Sequence, residues 1–395
     1  MNLQIDKVKI CVVGLGYVGL PLAKAAAAAG HKVFGFDNNS DVIKQLLNVE
    51  AKTVNYTPTL DSKAITGCDI YIIAVPTPLD LNNQPDLSYL KSAAKQVAEV
   101  AAEGALIINE STSYPGTLRE VVEATISSIN KSKLLYAAAP ERIDPANTKW
   151  SIKNTPRVVA GLTDEAGKAT LDFYLSFCDQ VELVSSPEVA EAAKLFENTF
   201  RQVNIALVNE FAQIAEKFGI SANEVISAAA TKPFGFMKFT PGLGVGGHCI
   251  PIDPIYLEQK AESLGATASF IKQATSVNQQ MPSYVMSRLK KILGNNLSGK
   301  KICIVGLSYK KDVTDLRQSP SISLWNQLKE QGCIVSFHDE VVKTYNGEGS
   351  APLDKSAFDL AVVGVRHSNL DIQKLKACAN HLFDCTGTIE GLPTL

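Results

Sequence analysis

A single thiol stands in an unusually bare stretch of the sequence. Residues 244–254 read GVGGHCIPIDP, so Cys249 follows three glycines and precedes two prolines. Glycines adopt positive φ readily and let the backbone lie close to a ligand, whereas prolines fix the backbone that leaves the loop. The pattern therefore predicts a loop that presents the Cys249 sulfur instead of burying it, as a nucleophilic thiolate requires.

Zinc binding is an alternative for this loop, because histidine and cysteine are both zinc ligands. His248 and Cys249 are adjacent in the chain, however, and adjacent side chains cannot easily bind one ion. No further ligands follow at the spacing of a zinc site. We therefore expect no metal here, and a structural hydrogen bond for His248.

Four other side chains could assist a cysteine nucleophile. Lys194 and Asn198 are one helical turn apart in a stretch of helical spacing, so both can point the same way. Glu141 follows a predicted strand, and Asp253 lies four residues after Cys249, where it could orient a water. Spacing alone leaves alternatives open, because Lys194 could belong to a solvated helix face and Glu141 could be an ordinary loop carboxylate.

The elements that would hold a redox cofactor lie at the start of the chain. An apolar strand is predicted at residues 8–13 and an alanine-rich helix follows, with Gly14-x-Gly16-x-x-Gly19 between them. Such glycines allow a tight turn, close approach of the backbone to a pyrophosphate, and close helix–strand packing. The second strand ends on Asp37, which can accept hydrogen bonds from a ribose diol. We predict an NAD site; the alternative is a glycine-rich turn that binds nothing.

A nicotinamide cofactor and a presented thiol together suggest one reaction. Hydride transfer from an alcohol gives an aldehyde, the thiol adds to it, and a second hydride transfer leaves a thioester that water hydrolyses. This route carries an alcohol to a carboxylate in one site. It also needs an oxyanion stabiliser and a carboxylate that positions water.

The sequence then continues to alternate between strands and helices. Apolar runs at residues 68–79, 104–117 and 134–145 each end in a loop, and ligands of doubly wound sheets bind at such carboxyl ends. From Ser186 to Gly219 one helix is predicted, about 45–50 Å long at 1.5 Å per residue. Its apolar stripe, which could pack against a second copy of the chain, comprises positions 196, 200, 203, 207, 211, 214 and 218.

The opening plan is repeated from about Gly299. A strand, a glycine turn, a helix and a strand that ends on Asp339 follow in order, with later strands at residues 359–365 and 381–385. The third glycine is missing, and the loop carries basic residues suited to another phosphate-bearing ligand, namely Lys310, Lys311 and Arg317. We predict an α/β fold with two Rossmann-like doubly wound domains joined by a long central helix. The expected boundaries are 1–186 for NAD binding, 187–297 for the central helical and dimerisation region with the cysteine loop, and 298–395 for the C-terminal domain.

Composition excludes several classes of protein. The chain has 395 residues, 46% of them hydrophobic, and a formal net charge of −2 with both signs mixed, which does not favour nucleic-acid binding. No apolar run of membrane-spanning length occurs and the first residues are charged, so we expect a cytoplasmic protein without a membrane partner. The eight cysteines are scattered without a CxxC pair, and we expect Cys11 and Cys303 to be buried inside strands.

Several strings together resemble the UDP-glucose/GDP-mannose dehydrogenase family, the nucleotide-sugar 6-dehydrogenases. They cover nearly the whole chain: GLGYVGLPLA, VPTPL, ESTSYPGT, PERIDP, EAAKLFENTFRQVNIALVNE, GVGGHCIPIDP and GLSYKKDVTDLRQSPS. The resemblance implies two Rossmann-like domains and a homodimer formed through the central helix. It also implies oxidation of the 6-hydroxymethyl group of a UDP- or GDP-linked sugar to a uronic acid with two NAD⁺, here to supply surface polysaccharide.

The resemblance assigns roles to individual side chains. Cys249 would be the nucleophile, Lys194 and Asn198 would stabilise the oxyanion, and Glu141 would be the acid/base carboxylate. Thr112 would hold a water, and Asp253 would assist thioester hydrolysis. The implied NAD residues are Gly14, Gly16, Tyr17, Val18, Gly19, Asp37, Val75, Pro76, Thr77, Thr112 and Arg317. The implied UDP-sugar residues are Glu141, Arg142, Lys194, Asn198, Phe239, Gly242, Gly246, Tyr309 and Lys310.

Among the possible substrates, the strings ESTSYPGT, TKPFGFMKF and GGHCIPIDP favour the branch that acts on UDP-N-acetylhexosamines, notably UDP-N-acetylglucosamine. Its 4-epimer, UDP-N-acetylmannosamine and UDP-glucose are the alternatives. The chain departs from its relatives in a shortened segment after residue 47, in Val42 where a basic residue is common, and in FDCTGTIEG, which lacks an arginine. Two other functions stay open: a two-electron alcohol dehydrogenase with a structural Cys249, and a non-catalytic nucleotide-sugar sensor.

Overall fold

The computed structural model describes residues 7–49, 54–80, 82, 84–143 and 147–395. The shortened segment after residue 47 and the end of PERIDP lie partly outside these described residues. The chain divides into two compact units, Met1–Glu197 with Ile255–Leu264, and Asn198–Pro254 with Gly265–Leu395. Each unit is built around its own sheet.

The first unit contains an eight-stranded sheet with the order β3-β2-β1-β4-β5-β6-β7-β8. The first six strands are parallel, in the order of a dinucleotide-binding sheet, whereas β7 runs antiparallel to β6. No pattern in the sequence indicated this reversal. The strands are β1 (Lys9–Val13), β2 (Lys32–Phe36), β3 (Tyr56–Thr59), β4 (Ile70–Ile73), β5 (Leu106–Asn109), β6 (Leu135–Ala138), β7 (Arg157–Gly161) and β8 (Val181–Leu183).

Helices cover both faces of this sheet. The central strands are mostly apolar because both of their faces are buried, as the uninterrupted run Ile70–Ile73 illustrates. Cys11, as expected, is fully buried in β1. The helices are α1 (Gly19–Ala28), α2 (Ser40–Val49), α3 (Ser88–Val100), α4 (Ala124–Ile129) and α5 (Asp164–Leu175), with a 3₁₀ turn at Ser62–Ile65 and a π-helical turn at Leu118–Glu123.

The long helix predicted after Ser186 is confirmed as α6 (Pro187–Phe218), 32 residues in length. The Ser186 hydroxyl accepts the Val189 N–H at 3.4 Å, and Pro187 needs no N–H partner at the first helical position. Gly219 ends the helix with φ +69°, a conformation that glycine adopts without strain.

The second unit contains a four-stranded parallel sheet with the order β10-β9-β13-β14. Its strands are β9 (Lys301–Val305), β10 (Ile334–His338), the short β11 (Thr344–Tyr345) and β12 (Glu348–Gly349), β13 (Phe358–Val363) and β14 (Ala379–Asp384). The helices are α7 (Ala222–Ala229), α9 (Ser269–Leu293), α10 (Pro320–Glu330) and α11 (Ile372–Cys378), whereas α8 (Asp253–Ser263) starts in this unit and continues in the first. The repeated strand–turn–helix–strand plan from Gly299 is confirmed, and Cys303 is fully buried in β9. Among the described residues, no helix is both long and apolar enough to cross a membrane.

Candidate active site

The glycine turn between β1 and α1 depends on its glycines in the predicted ways. Gly14 has φ +93°, and a Cβ there would lie 2.5 Å from the Ala74 carbonyl oxygen. A Cβ on Gly19 would clash with the Gly14 carbonyl oxygen, so only glycine lets α1 start this close to the turn. Gly16 is exposed, and a Cβ there would meet no atom within 4 Å. Protein atoms thus pack tightly against Gly14 and Gly19, whereas the space beside Gly16 is open.

Asp37 follows β2 and faces this turn. Its Oδ2 accepts the Leu15 N–H at 2.9 Å and its Oδ1 accepts the Asn39 N–H at 2.9 Å. Each carboxylate oxygen accepts one of these bonds and can accept a further hydrogen bond, as a ribose diol would require. The open Gly16, the start of α1 with Tyr17 and Val18 before it, and Asp37 together fit the pyrophosphate and ribose of a dinucleotide.

Two loops at the carboxyl ends of β4 and β5 are joined by hydrogen bonds. The Val75 N–H donates to the Ser111 hydroxyl at 2.9 Å, and this hydroxyl donates back to the Val75 carbonyl at 2.9 Å. The Thr77 hydroxyl donates to the Thr112 carbonyl at 2.6 Å. The predicted cofactor residues Val75, Pro76, Thr77 and Thr112 therefore lie on two loops held together at one edge of the sheet.

Glu141 follows β6 and its carboxylate is held at both oxygens. Oε1 accepts the N–H groups of Arg142 and Ile143, at 2.5 and 2.6 Å, and Oε2 lies 3.3 Å from an Arg157 nitrogen. The predicted substrate residue Arg142 already makes an ion pair with Glu197 at 2.7 Å, and it donates to the Pro156 carbonyl at 2.7 Å. Glu141 is thus rigidly oriented, and the Arg142 guanidinium has partners within the first unit.

Lys194 is half-buried on α6, one turn after Glu191. Glu191 is buried, and its carboxylate accepts the N–H groups of Gly116 at 2.7 Å and Leu118 at 2.9 Å. Burial raises the pKa of Glu191 to about 7, although these two N–H donors act in the opposite direction. Glu191 therefore fastens α6 to the segment that follows Thr112, a contact that no motif in the sequence indicated.

The cysteine loop lies in the second unit. Cys249 is half-buried, whereas the other seven cysteines, all within the described residues, are buried. Its carbonyl accepts the N–H groups of Ile252 at 3.0 Å and Asp253 at 2.8 Å, so Cys249 begins the turn that leads into α8. The N-terminal end of a helix carries partial positive charge and favours an anion. The prediction that the loop leaves this cysteine incompletely buried is confirmed.

Asp253, the first residue of α8, is buried and contacts a second predicted residue. The Asn198 side-chain amide donates to Asp253 Oδ2 at 2.5 Å. Asn198 is therefore oriented by Asp253 as well as by its place on α6. Two of the predicted catalytic residues are brought together here, 55 positions apart in the sequence.

The glycines before Cys249 meet the chain itself. A Cβ on Gly246 would lie 2.7 Å from the Tyr309 Cβ and 2.8 Å from the Gln318 carbonyl oxygen. Gly247 has φ +89°, and a Cβ there would lie 2.8 Å from the Tyr309 ring. Gly244 has φ +131°, and a Cβ there would lie 2.8 Å from the Asn278 carbonyl oxygen. The positive φ values agree with the sequence analysis, but close packing on Tyr309 and its neighbours already accounts for these bare positions.

The remaining predicted residues also lie in the second unit. The Phe239 ring is 6.2 Å from that of Phe200, and the Gly242 N–H donates to Asn209 Oδ1 at 2.9 Å. Lys310 is half-buried, and its carbonyl accepts the Ser308 hydroxyl at 2.8 Å.

The guanidinium of Arg317 joins the cysteine loop to a neighbouring carboxylate. It binds Asp315 at 2.6 Å and donates to His248 Nδ1 at 3.0 Å. Since Nδ1 accepts this bond, it carries no proton in this arrangement. The hydrogen bond expected for His248 is therefore present, and its donor is the predicted cofactor residue.

A cluster after β10 also contains potential metal ligands. Atoms of Asp339, Glu340 and His367 lie within 4.8 Å of one another. The Asp339 oxygens, however, already accept N–H groups of Leu307, Val341 and Val342, at 2.7 to 2.9 Å. We assign Asp339 to the support of the glycine turn of this unit, and the cluster gives no argument for a bound ion.

The parallel sheet with its open glycine turn defines a dinucleotide-binding protein. Comparison with protein families identifies three consecutive matches. Residues 8–178 match the NAD binding domain of the UDP-glucose/GDP-mannose dehydrogenase family, residues 188–280 its central domain and residues 303–389 its UDP binding domain. The chain belongs to the UDP-glucose/GDP-mannose dehydrogenase family, and it is an NAD-dependent oxidoreductase that acts on a UDP-sugar.

Individual relatives agree with this assignment over most of their length. Protein CapL of Staphylococcus aureus is 39% identical over 84% of this chain and 81% of its own length. The UDP-N-acetyl-D-glucosamine 6-dehydrogenase of Pseudomonas aeruginosa is 34% identical over 95% of this chain and 96% of its own. The solved structure of the UDP-D-ManNAc dehydrogenase of Pyrococcus horikoshii superposes with a TM-score of 0.89 at 31% identity, and covers 98% of this chain and 97% of its own.

Proposed function

We propose that the chain oxidises the C6 hydroxymethyl group of UDP-N-acetylglucosamine to the uronic acid through a covalent intermediate on Cys249. The observation that carries the proposal is the exposure of this thiol. Seven cysteines are buried and Cys249 is not, and Cys249 begins the turn that leads into α8. The two-electron alternative would give Cys249 no chemical task.

The side chains divide the work as follows. The Cys249 sulfur adds to the C6 aldehyde, and Lys194 and Asn198 stabilise the oxyanion of the resulting thiohemiacetal. Glu141 takes up and returns protons, Asp253 assists the water that cleaves the thioester, and the thiol is regenerated. Bound NAD⁺ supplies the hydride acceptor at both oxidation steps, so that one alcohol and one water yield a carboxylate and two NADH.

The binding roles follow the same division. We propose that residues 1–186 bind NAD through the glycine turn, Asp37, Thr77 and Thr112, with Arg317 contributing from the C-terminal part. Residues 298–395 would bind the UDP moiety with Tyr309 and Lys310, and residues 187–297 would supply the cysteine loop with Phe239, Gly242 and Gly246. The match of residues 303–389 to a UDP binding domain supports this division.

Two relatives bear on the choice of sugar. The P. aeruginosa relative, named for UDP-N-acetyl-D-glucosamine, aligns over nearly all of this chain, which supports the first candidate. The P. horikoshii structure, named for UDP-D-ManNAc, supports UDP-N-acetylmannosamine as the second candidate. Both sugars carry an N-acetyl group at C2, and they differ in the configuration of that carbon.

The proposed reaction is tested by its stoichiometry. The purified protein is incubated with NAD⁺ and, separately, with UDP-N-acetylglucosamine, UDP-N-acetylmannosamine, UDP-N-acetylgalactosamine and UDP-glucose, and NADH is counted per sugar consumed. We expect two NADH and an acid from UDP-N-acetylglucosamine. One NADH with an aldehyde would instead establish the two-electron reaction, and turnover of another sugar alone would reassign the substrate.

The role of the thiol is tested by a matched pair of variants. Cys249→Ala should abolish four-electron turnover and leave NAD⁺ binding unchanged, because it removes the nucleophile alone. Cys333→Ala, at a buried cysteine of the same unit, should retain full turnover per folded molecule. Full turnover by Cys249→Ala would disprove the covalent route.

We further propose that the chain forms a homodimer through α6. Five of its apolar side chains are 43% to 73% exposed in the single chain, namely Phe196, Phe200, Leu207, Ile214 and Phe218. They follow helical spacing along one stripe, and a stripe of this kind favours a second apolar surface. The same helix of a second copy of the chain presents an identical apolar surface.

Sedimentation velocity tests this assembly. Leu207→Asp should convert dimer to monomer, because it places a charge at the centre of the stripe. Leu264→Asp introduces the same charge at an exposed leucine outside α6 and should leave the dimer intact. A wild-type monomer at micromolar concentration would contradict the proposal.

A further inference from the structure

Four polar side chains form a buried cluster in the first unit, beside the predicted acid/base residue. Glu110 follows β5, Glu141 follows β6, Arg157 begins β7, and Tyr174 lies on α5. All four are buried, and Tyr174 is completely so. The cluster, defined here as the Arg157 cluster, joins the loops that follow β5 and β6 to the start of β7 and to α5.

One nitrogen of Arg157 serves two carboxylates. Arg157 Nη2 donates to Glu110 Oε1 at 2.6 Å and to Glu141 Oε2 at 3.3 Å. The Tyr174 hydroxyl donates to the same Glu110 oxygen, and the Arg157 guanidinium lies 4.4 Å above the Tyr174 ring. The guanidinium is therefore fixed by Glu110 and Tyr174 and reaches Glu141 from that fixed position.

The Glu141 carboxylate has its other oxygen engaged by the backbone. Oε1 accepts the N–H groups of Arg142 and Ile143. The Arg142 side chain is directed to Glu197 and the Pro156 carbonyl. Of the two arginines near Glu141, Arg157 is thus the one whose side chain binds its carboxylate.

The charges of the Arg157 cluster do not cancel when both acids are ionised. Burial raises the pKa of Glu110 to about 7, the positive Arg157 acts against this rise, and the negative Glu141 adds to it. Burial alone would lower the pKa of Arg157, but Glu110 and Glu141 together raise it, so the guanidinium stays charged. Burial also raises the pKa values of Tyr174 and of the nearby Cys178, which keeps both neutral near pH 7.

We propose that Arg157 is a positioning residue for Glu141, and that Glu110 controls how much of the Arg157 charge Glu141 receives. When Glu110 is ionised, it competes for the shared Nη2 and places a second negative charge beside Glu141. When Glu110 is protonated, the guanidinium is left to Glu141 alone, which holds the Glu141 carboxylate in one orientation. The inference rests on the proposed acid/base role of Glu141.

The test compares the pH profiles of kcat for variants of the Arg157 cluster. Glu110→Gln preserves the volume and leaves position 110 uncharged at every pH. In the variant kcat should therefore be higher above about pH 7, where the wild-type Glu110 ionises, and the two profiles should agree at lower pH. Arg157→Lys keeps a positive charge but loses the forked guanidinium, so kcat should fall about tenfold, with KM for NAD⁺ unchanged. A purely structural role would lower the folded fraction and leave the shape of the profile as it is.

Arg119→Lys is the matched control. It makes the same substitution in an exposed Arg–Glu pair of the same unit, where Arg119 lies 3.2 Å from Glu188. Its profile should coincide with that of the wild type. Melting temperatures identify any variant that is poorly folded. If Arg157→Lys does not fold, the kcat of Glu110→Gln above about pH 7 decides the question by itself.

Glu141→Gln separates this inference from the proposed function. A large loss of kcat in Glu141→Gln, with wild-type profiles in folded Glu110→Gln and Arg157→Lys, would overturn the role of the Arg157 cluster and leave the role of Glu141 intact. Full activity of Glu141→Gln would overturn both. A raised kcat above about pH 7 in Glu110→Gln and a lowered kcat in Arg157→Lys, together with the loss in Glu141→Gln, would support both.

Discussion

The two sheets start with the same strand and turn, yet only the first turn is open. Gly14 and Gly306 both have positive φ, +93° and +84°, and each donates its N–H to the last residue of the adjacent strand, at 2.8 and 2.9 Å. The next residue donates to an aspartate in both units, Leu15 to Asp37 and Leu307 to Asp339. The repetition predicted from the sequence therefore extends to individual hydrogen bonds.

The difference begins two residues after the first glycine. Gly16 is exposed, and α1 begins three residues later. In the second unit this position is Ser308, which is fully buried, and the loop is pinned where the Asp312 N–H donates to His367 Nδ1 at 2.9 Å. The shared turn is thus open at this position in the first unit, whereas the chain itself fills the same position in the second.

The largest effect is expected where the two turns are alike. Gly306→Ala would bring a Cβ into the Val365 carbonyl oxygen at a positive φ, and Gly14→Ala would meet the Ala74 carbonyl oxygen. Each should lower the free energy of unfolding by about 2–4 kcal/mol through clash and backbone strain. Urea unfolding measures this, with Gly349→Ala as the control, since a Cβ there meets nothing within 4 Å. Wild-type stability of Gly306→Ala would show that the second turn is not held as described.

The second prediction concerns the closed turn. Burial alone would raise the pKa of Asp339, but hydrogen bonds from His367, Val342, Leu307 and Val341 more than offset this and lower it to about 2. A depressed folded pKa stabilises the protein above the unfolded value of 3.8, and this stability is lost as pH falls from about 4 towards 2.

Urea unfolding at several pH values measures this contribution. The fall between pH 4 and pH 2 should amount to about 2 kcal/mol in the wild type, beyond that of Asp339→Asn. Asp339→Asn should also leave NAD⁺ affinity unchanged, because the proposed NAD site lies in the first unit and this carboxylate supports the turn of the second. If the free energy of unfolding falls equally with pH in the wild type and in Asp339→Asn, the four hydrogen-bond donors do not lower the pKa of Asp339.

The smallest effect on folding, and the clearest contrast, is expected at the open turn. Gly16→Ala adds a methyl group that meets no protein atom, so the free energy of unfolding should stay within about 0.5 kcal/mol of the wild type. The same methyl group occupies the space where a pyrophosphate would approach, so NAD⁺ should bind about tenfold more weakly. Isothermal titration calorimetry measures the affinity. Unchanged NAD⁺ affinity would show that the pyrophosphate does not bind at this turn.

Much of the fold could be predicted because each element has its own local signal. The apolar runs before Gly14 and Gly306 predict buried strands, and a proline start with a glycine end bounds α6. The antiparallel β7 had no such signal, because the direction of a strand depends on the connection that precedes it rather than on its own residues.

Some residues of the candidate site could likewise be predicted from the sequence, and others could not. Cys249 was found because its neighbours are unusual, and Asn198 and Asp253 because a family resemblance covers them. Arg157 and Glu110 are 47 residues apart, and neither sequence neighbourhood is unusual. Their contact follows from the packing of β5, β6 and β7 beside one another, which a one-dimensional pattern does not specify.

Seven of the eight cysteines are buried and one is half-exposed, which makes Cys249 a natural attachment point. A maleimide dye added to the folded wild-type protein would react at this position first, without any engineering of the other thiols. Its fluorescence would then report on every event near the turn into α8, from ligand arrival to release. The wild-type protein thus has a site for selective labelling with a spectroscopic probe.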